Sequence, residues 1–301
     1  MLSRAVVAAL AAAPLANVAL SAQVLDTIRV DYPPSRCANC AVWNAPQKPF
    51  RIFGNTYYVG PQGLASILIT SNRGHVLIDG ALPMSAPSII ANIKALGFRV
   101  EDVKLILNSH AHSDHAGGIA ALQAASGARV AASEWSAKTL EQGESDRRDP
   151  QFGILNPYPP VHDVRVIHDG ETLRVGPLAL TAHFTPGHTP GGTSWTWRSC
   201  EGAKCVNVLY ADSQTAVSAD GFYFTLSTAY PDALADFARG LATLERLPCD
   251  VLLTPHPGAS RLFERVAVGD TAVVNPRLCK EFVADARKGV AERAAKERAN
   301  R

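Results

Sequence analysis

Between residues 50 and 79, short apolar runs are broken by glycines, and the pattern predicts strands at 50–59, 64–70 and 74–79. The period then changes. Residues 85–96 carry apolar side chains at helical spacing and stop at Gly97, which predicts an amphipathic helix closed by glycine. A continuous apolar run at 103–108 predicts a buried strand, followed by a helix at 117–125, a strand at 128–132 and a helix at 134–142. Pro, Gly, Asp and Asn then dominate 143–161, which predicts a long loop. The plan repeats with strands at 164–168, 172–184, 193–198 and 205–211, a helix at 231–247, a strand at 251–253 and a helix at 277–300. The last helix, full of Ala, Glu, Arg and Lys, reads as a solvated face.

Strands alternating with helices in two halves, 50–161 and 162–301, predict an α/β fold. Two sheets with helices on their outer faces make a four-layer αββα sandwich, with functional loops on one edge between the halves. A chain of 301 residues with 47% hydrophobic content can bury the core this requires.

The N-terminus changes the picture of where the protein works. Arg4 precedes an apolar run of mostly small residues at 5–20, and Ser21 and Ala22 permit cleavage near Gln23. Residues 1–22 are therefore expected to be a signal peptide and 23–301 the mature domain, in the periplasm or outside the cell. Pro14 and Asn17 weaken the run as a membrane span, and no cysteine sits at the cleavage site for a lipid anchor. No membrane insertion is expected after cleavage. Six cysteines fit an oxidising compartment, although their connectivity stays open at this level. Cys200 and Cys205 flank a hairpin loop, Cys249 and Cys279 could tie the last helix to a strand, and Cys37 and Cys40 are a local pair. These three pairings are the expected bridges. Net charge is +2, and +1 once Arg4 leaves with the leader. No basic patch interleaved with aromatics suggests a nucleic-acid partner, and Arg147-Arg148 reads as a solvated loop pair.

Candidate chemistry concentrates in histidine. Five of the nine histidines fall in three motifs: His110-Ala111-His112-Ser113-Asp114-His115, Pro186-Gly187-His188-Thr189 and Thr254-Pro255-His256-Pro257. Imidazole and carboxylate are the ligands of hydrolytic zinc sites. Six such groups suggest a dinuclear centre, whose metals can share a hydroxide. Alternation puts His110 and His112 on one side of an extended segment. His188 and His256 each follow a strand-like run and sit in Pro/Gly loops. His75, His162, His168 and His183 read as ordinary core or surface residues. Ser-x-x-Lys and Gly-x-Ser-x-Gly are both missing from the sequence, so no serine-nucleophile motif competes.

These motifs resemble the metallo-β-lactamase superfamily, and their context resembles subclass B3 metallo-β-lactamases. The likeness is carried by His110 to His115 with His188 and His256, by Gly54-Asn55-Thr56-Tyr57-Tyr58-Val59-Gly60, and by the run Thr185-Pro186-Gly187-His188-Thr189-Pro190-Gly191-Gly192-Thr193-Ser194-Trp195-Thr196-Trp197. Ala211-Asp212-Ser213 carries serine where another subclass has a zinc-binding cysteine. The resemblance runs from about Trp43 to Cys279. It implies two zinc ions per chain, one held by His110, His112 and His188 and the other by Asp114, His115 and His256. It implies Ser213 and Thr215 as hydrogen-bond donors to the substrate carboxylate, and Trp43 at the groove mouth or packed in an N-terminal arm. Gln214 departs from the apolar residue expected there. The implied activity is hydrolysis of the β-lactam amide of antibiotics by a metal-activated hydroxide, with Asp114 as the catalytic carboxylate. The protein would act as a monomer on a small molecule and confer resistance. The rival within the superfamily is a thioesterase or lactonase, in which Asp212 would bridge the metals.

Overall fold

The computed structural model describes residues 37–300, so the expected signal peptide lies outside the described residues. A short helix α1 (Cys40–Trp43) leads into β1 (Phe50–Phe53), β2 (Thr56–Tyr58), β3 (Ile67–Ile69) and β4 (His75–Ile78). Then follow α2 (Ala86–Ala95), β5 (Val103–Leu107), α3 (Ser113–Ala116), α4 (Ile119–Ser126), β6 (Arg129–Ser133), α5 (Glu134–Gln142) and β7 (Val164–Ile167). These seven strands form one sheet in chain order, antiparallel from β1 to β4 and parallel from β4 to β7. The second sheet has β8 (Thr172–Val175), β9 (Leu178–Phe184), β10 (Thr193–Glu201), β11 (Lys204–Tyr210) and β12 (Val251–Leu253) in the order β12-β11-β10-β9-β8. Helices α6 (Ala233–Arg246), α7 (Leu262–Val268), α8 (Asp270–Val273) and α9 (Pro276–Ala299) complete the chain.

Strand alternation sorts the core into layers. Ile67, Ile69, Val76, Ile78, Leu105 and Leu107 face the second sheet, where they meet Leu180, Trp195, Val208 and Tyr210. Their neighbours Leu68, Leu77 and Ile106 face the other way and pack under Ile89, Ile93 and Leu122 of the outer helices. On the far side, Leu209 and Leu252 lie against Leu241, Leu278 and Val283. The result is helix, sheet, sheet, helix, as the sequence predicts. Two fully or nearly buried indoles lock the sheets in register: Trp195 donates to the Asn108 carbonyl at 3.1 Å and Trp197 to Thr56 Oγ1 at 3.0 Å.

Several boundaries differ from the sequence reading. The single strand expected at 50–59 is a hairpin, because Gly54 turns at φ 51° beneath the Cys200 carbonyl. The strand expected at 172–184 likewise splits at Gly176, with φ 55°. The strand Val164–Ile167 pairs with β6, so sheet membership changes after residue 167 rather than at 161. The terminal helix does more than face solvent. Arg293 donates to the Ala216 and Phe222 carbonyls and to Ser218 Oγ, and Glu297 accepts from the Phe224 and Thr225 amides. The last helix therefore straps down the loop after β11. All three expected disulfides are present: Cys37–Cys40, Cys200–Cys205 and Cys249–Cys279.

Candidate metal centre

The three histidine motifs leave the C-terminal ends of strands and meet at one edge of the sandwich. The first turns off β5 around a buried carboxylate. Asp79, at φ 61°, receives Asn108 Nδ2 at 3.1 Å, the Ser109 amide at 2.8 Å, Ser109 Oγ at 2.6 Å and Tyr210 Oη at 2.7 Å. These bonds compensate an otherwise unfavourable backbone conformation and aim the chain into the motif. The second motif is admitted by Gly187, at φ 136°, where any side chain would strike the Phe237 ring. The third follows β12.

His110, His112 and His188 form one cluster, with one candidate donor atom each, all within 4.8 Å of one another. Their rings are 4.7–4.9 Å apart between centroids and all three are buried. Each ring spends one nitrogen on a protein acceptor. His110 Nδ1 donates to Asp212 Oδ1 at 2.7 Å, His112 Nε2 to Asp149 Oδ2 at 2.9 Å, and His188 Nδ1 to the Thr215 carbonyl at 2.8 Å. That leaves His110 Nε2, His112 Nδ1 and His188 Nε2 for a shared ligand. His110 Nε2 is buried without a protein partner, and His188 Nε2 lies 3.4 Å from Gln151 Nε2. A neutral imidazole with its far nitrogen held by a carboxylate or carbonyl is how histidine binds a metal. Burial drives His110 well below the ordinary histidine range and His188 down to about 3. Burial would lower His112 too, but Asp149 outweighs it and raises that ring.

Asp114, His115 and His256 form the second cluster, again with donor atoms within 4.8 Å. Asp114 Oδ2 lies 3.2 Å from His115 Nε2 and 3.4 Å from His256 Nε2. Burial would raise Asp114, yet these two histidines outweigh it and hold the carboxyl well below its usual range. The backing here is thinner. His256 Nδ1 is 3.3 Å from the Gly63 carbonyl, and His115 Nδ1 is buried without a partner. The two clusters touch through His110 and His115, whose rings are 4.4 Å apart. Three nitrogens in one group, and two nitrogens with one carboxylate in the other, fit zinc donor chemistry.

A groove of about 340 Å³ opens over both clusters, with Trp43, Ile154, Ser213, Thr215 and Val217 among its walls. Trp43 both lines this groove, 5.3 Å from the His256 ring, and packs on Gly63. Ser213 is half-buried and Thr215 exposed, so both hydroxyls are within reach of a bound molecule. Gln214 turns inward, donating to the Thr185 and Ser213 carbonyls at 3.1 and 3.0 Å. His75, His162, His168 and His183 join neither cluster. The sequence reading missed Asp79 and Asp149 altogether. It weighed Asp212 only as a metal bridge, but its carboxylate stands behind His110.

The sequence profile of the family described as the metallo-β-lactamase superfamily matches residues 59–203. Among solved structures, the Rm3 metallo-β-lactamase is 58% identical with a TM-score of 0.86, covering 87% of this chain and 99% of that one. MEM-A1, a subclass B3 metallo-β-lactamase from a soil metagenome library, is 48% identical with a TM-score of 0.84, covering 86% of this chain and 100% of that one. The curated protein YobT of Bacillus subtilis (strain 168) is 35% identical over 133 residues, 42% of this chain. The chain spans about half of YobT, 54% of its length.

Proposed function

The chain belongs to the metallo-β-lactamase superfamily, and from that premise we propose that it hydrolyses the β-lactam amide bond with two zinc ions per chain. His110, His112 and His188 would hold one ion, and Asp114, His115 and His256 the other. The observation that carries the reading is the pair of convergent donor groups at the floor of one groove, the buried His110 Nε2 among them without a protein partner. Bound zinc supplies Lewis acidity and brings the pKa of water to near neutrality.

The chain's own residues do the rest. Asp114, held ionised, is the only carboxylate in the donor set, so it can accept a hydrogen bond from the attacking water at Oδ and orient it. Ser213 and Thr215 offer hydroxyl donors to the substrate carboxylate. Trp43 and Ile154 give the groove apolar walls against which the substrate can pack. Asp212 holds His110 in one tautomer, which argues against the metal-bridging part it would play in a thioesterase reading. Export to the periplasm is part of the same proposal: residues 1–22 would be removed, and the three disulfides suit an oxidising compartment.

The test is turnover of a penicillin, a cephalosporin and a carbapenem beside a thioester and a homoserine lactone, each with and without a chelator. The expected result is chelator-sensitive β-lactam hydrolysis exceeding the other two activities. Thioester or lactone turnover dominating the panel would overturn the proposal.

A further inference from the structure

The long loop at 143–161 contains a contradiction. Arg147, Arg148, Phe152 and Ile154 are exposed, yet Asp149 in their midst is 1% exposed. Burying a carboxylate is costly unless it is fully used. Asp149 uses both oxygens in different structures. Oδ1 accepts the Gln151 amide at 2.8 Å and so closes the loop's own turn. Oδ2 accepts His112 Nε2–H at 2.9 Å and so fixes that imidazole. A carboxylate has no proton to give here, so the ring proton must sit on Nε2, and Nδ1 is left as the nitrogen facing the cluster.

The loop touches the tri-histidine cluster and its surroundings elsewhere as well. Gln151 Nε2 lies 3.4 Å from His188 Nε2. Tyr158 Oη donates to the carbonyl of Ala111, the residue between the two histidines of the first motif, at 2.8 Å. The Pro150 carbonyl accepts the Ala219 amide at 2.8 Å from the segment beyond Ser213 and Thr215. Gln151, Ile154, Leu155 and Asn156 of this loop line the substrate groove.

We propose that Asp149 is a positioning residue that couples the tri-histidine site to the groove loop, so that metal binding there and docking of the loop strengthen each other. The inference rests on the reading of His110, His112 and His188 as metal ligands. Coupling of this kind is reciprocal: what the loop contributes to metal affinity, the metal returns to the loop. Asp149 itself touches neither metal nor substrate.

The exposed Arg147-Arg148 pair supplies a direct probe, because trypsin cuts after each only when the loop lifts away. In a His256→Ala background only the tri-histidine site is complete, and its zinc affinity can be measured against a chromophoric chelator. Adding Asp149→Ala should weaken that affinity by about 10–100-fold, the usual cost of losing a histidine's outer partner. Saturating zinc should slow cleavage at 147–148 at least about tenfold in the wild-type protein, the low end of that same range, and fail to slow it in Asp149→Ala. A purely structural turn at Asp149 would raise cleavage with and without zinc and leave zinc affinity where it was, which overturns the proposal. Wild-type cleavage that ignores zinc overturns it too, without recourse to any variant. If the tri-histidine site of the background protein takes up no zinc, the ligand assignment fails instead.

Discussion

The two donor clusters sit side by side but are built differently. In the tri-histidine cluster every ring is buried and backed by a protein acceptor, from Asp212, Asp149 and the Thr215 carbonyl. In the other, His256 is half-exposed, His115 lacks a partner at Nδ1, and the rings are held mainly by Asp114. The first is organised before any ligand arrives, whereas the second is shaped largely by its own donors. Outer partners fix ring orientation and basicity, so the tri-histidine site should bind zinc more tightly and fill first. Asp114, the carboxylate proposed to act in catalysis, belongs to the more thinly backed cluster, so full activity should depend on zinc supply.

Ligand deletion should separate the sites most. His188→Ala should empty the tri-histidine site and cut β-lactam turnover by more than the roughly 10–100-fold attributed to loss of an outer partner. His256→Ala should leave one zinc per chain by elemental analysis. Retention of two ions by either variant would collapse the distinction. Next in size, Asp212→Ala should weaken the tri-histidine site by about 10–100-fold while the Asp114 site holds its affinity, read by stepwise zinc titration. Equal weakening of both sites would mean that backing is shared and the contrast is false.

Ser213→Ala tests the groove rather than the metals. A hydrogen bond to a charged group contributes about 1.5–3 kcal/mol, so KM should rise by up to roughly tenfold if Thr215 compensates in part. Zinc content should stay constant; loss of an ion would make Ser213 a ligand. The smallest effect belongs to the strap that the last helix lays over the loop after β11. Burial alone would raise the Glu297 carboxyl, but the Thr225 and Phe224 amides and Arg293 hold it below the ordinary range. A depressed carboxyl contributes stability above its unfolded pKa of about 4.3, and that stability is lost as pH falls through the lower folded value. Glu297→Gln should therefore cost about 1–2 kcal/mol at neutral pH and flatten the acid limb of the stability curve. An unchanged urea midpoint at neutral pH would show that the strap contributes nothing.

The six residues that the structure gathers into two clusters were legible in the sequence because four lie within six positions and the other two carry their own Pro/Gly settings. The layers were legible because alternation survives in short strands such as Ile67–Ile69, with Leu68 facing opposite to its neighbours. The supports of the site were not. Asp149 is 37 residues from His112, and Asp212 is 102 from His110. Each looks like an ordinary loop aspartate until the chain is folded. Asp79 is hidden for the same reason, since its role depends on Ser109 and Tyr210 arriving from other strands. The loss of the strap from view has a different cause: helix 276–299 has a weakly amphipathic pattern, and its two working residues, Arg293 and Glu297, look like solvent charges.

Neither cluster belongs to one sheet. His110, His112, Asp114 and His115 follow β5 in the first sheet, whereas His188 follows β9 and His256 follows β12 in the second. Neither sheet alone can therefore supply a complete donor set, and each set closes only after sequence-distant strands have met. Such contacts form late, since the entropy of closing long loops must be overcome first. Zinc arriving at the finished edge would clamp the two sheets together without having helped them find each other. Its kinetic signature should be a slower escape from the native state, with refolding of the metal-free chain setting the pace of maturation.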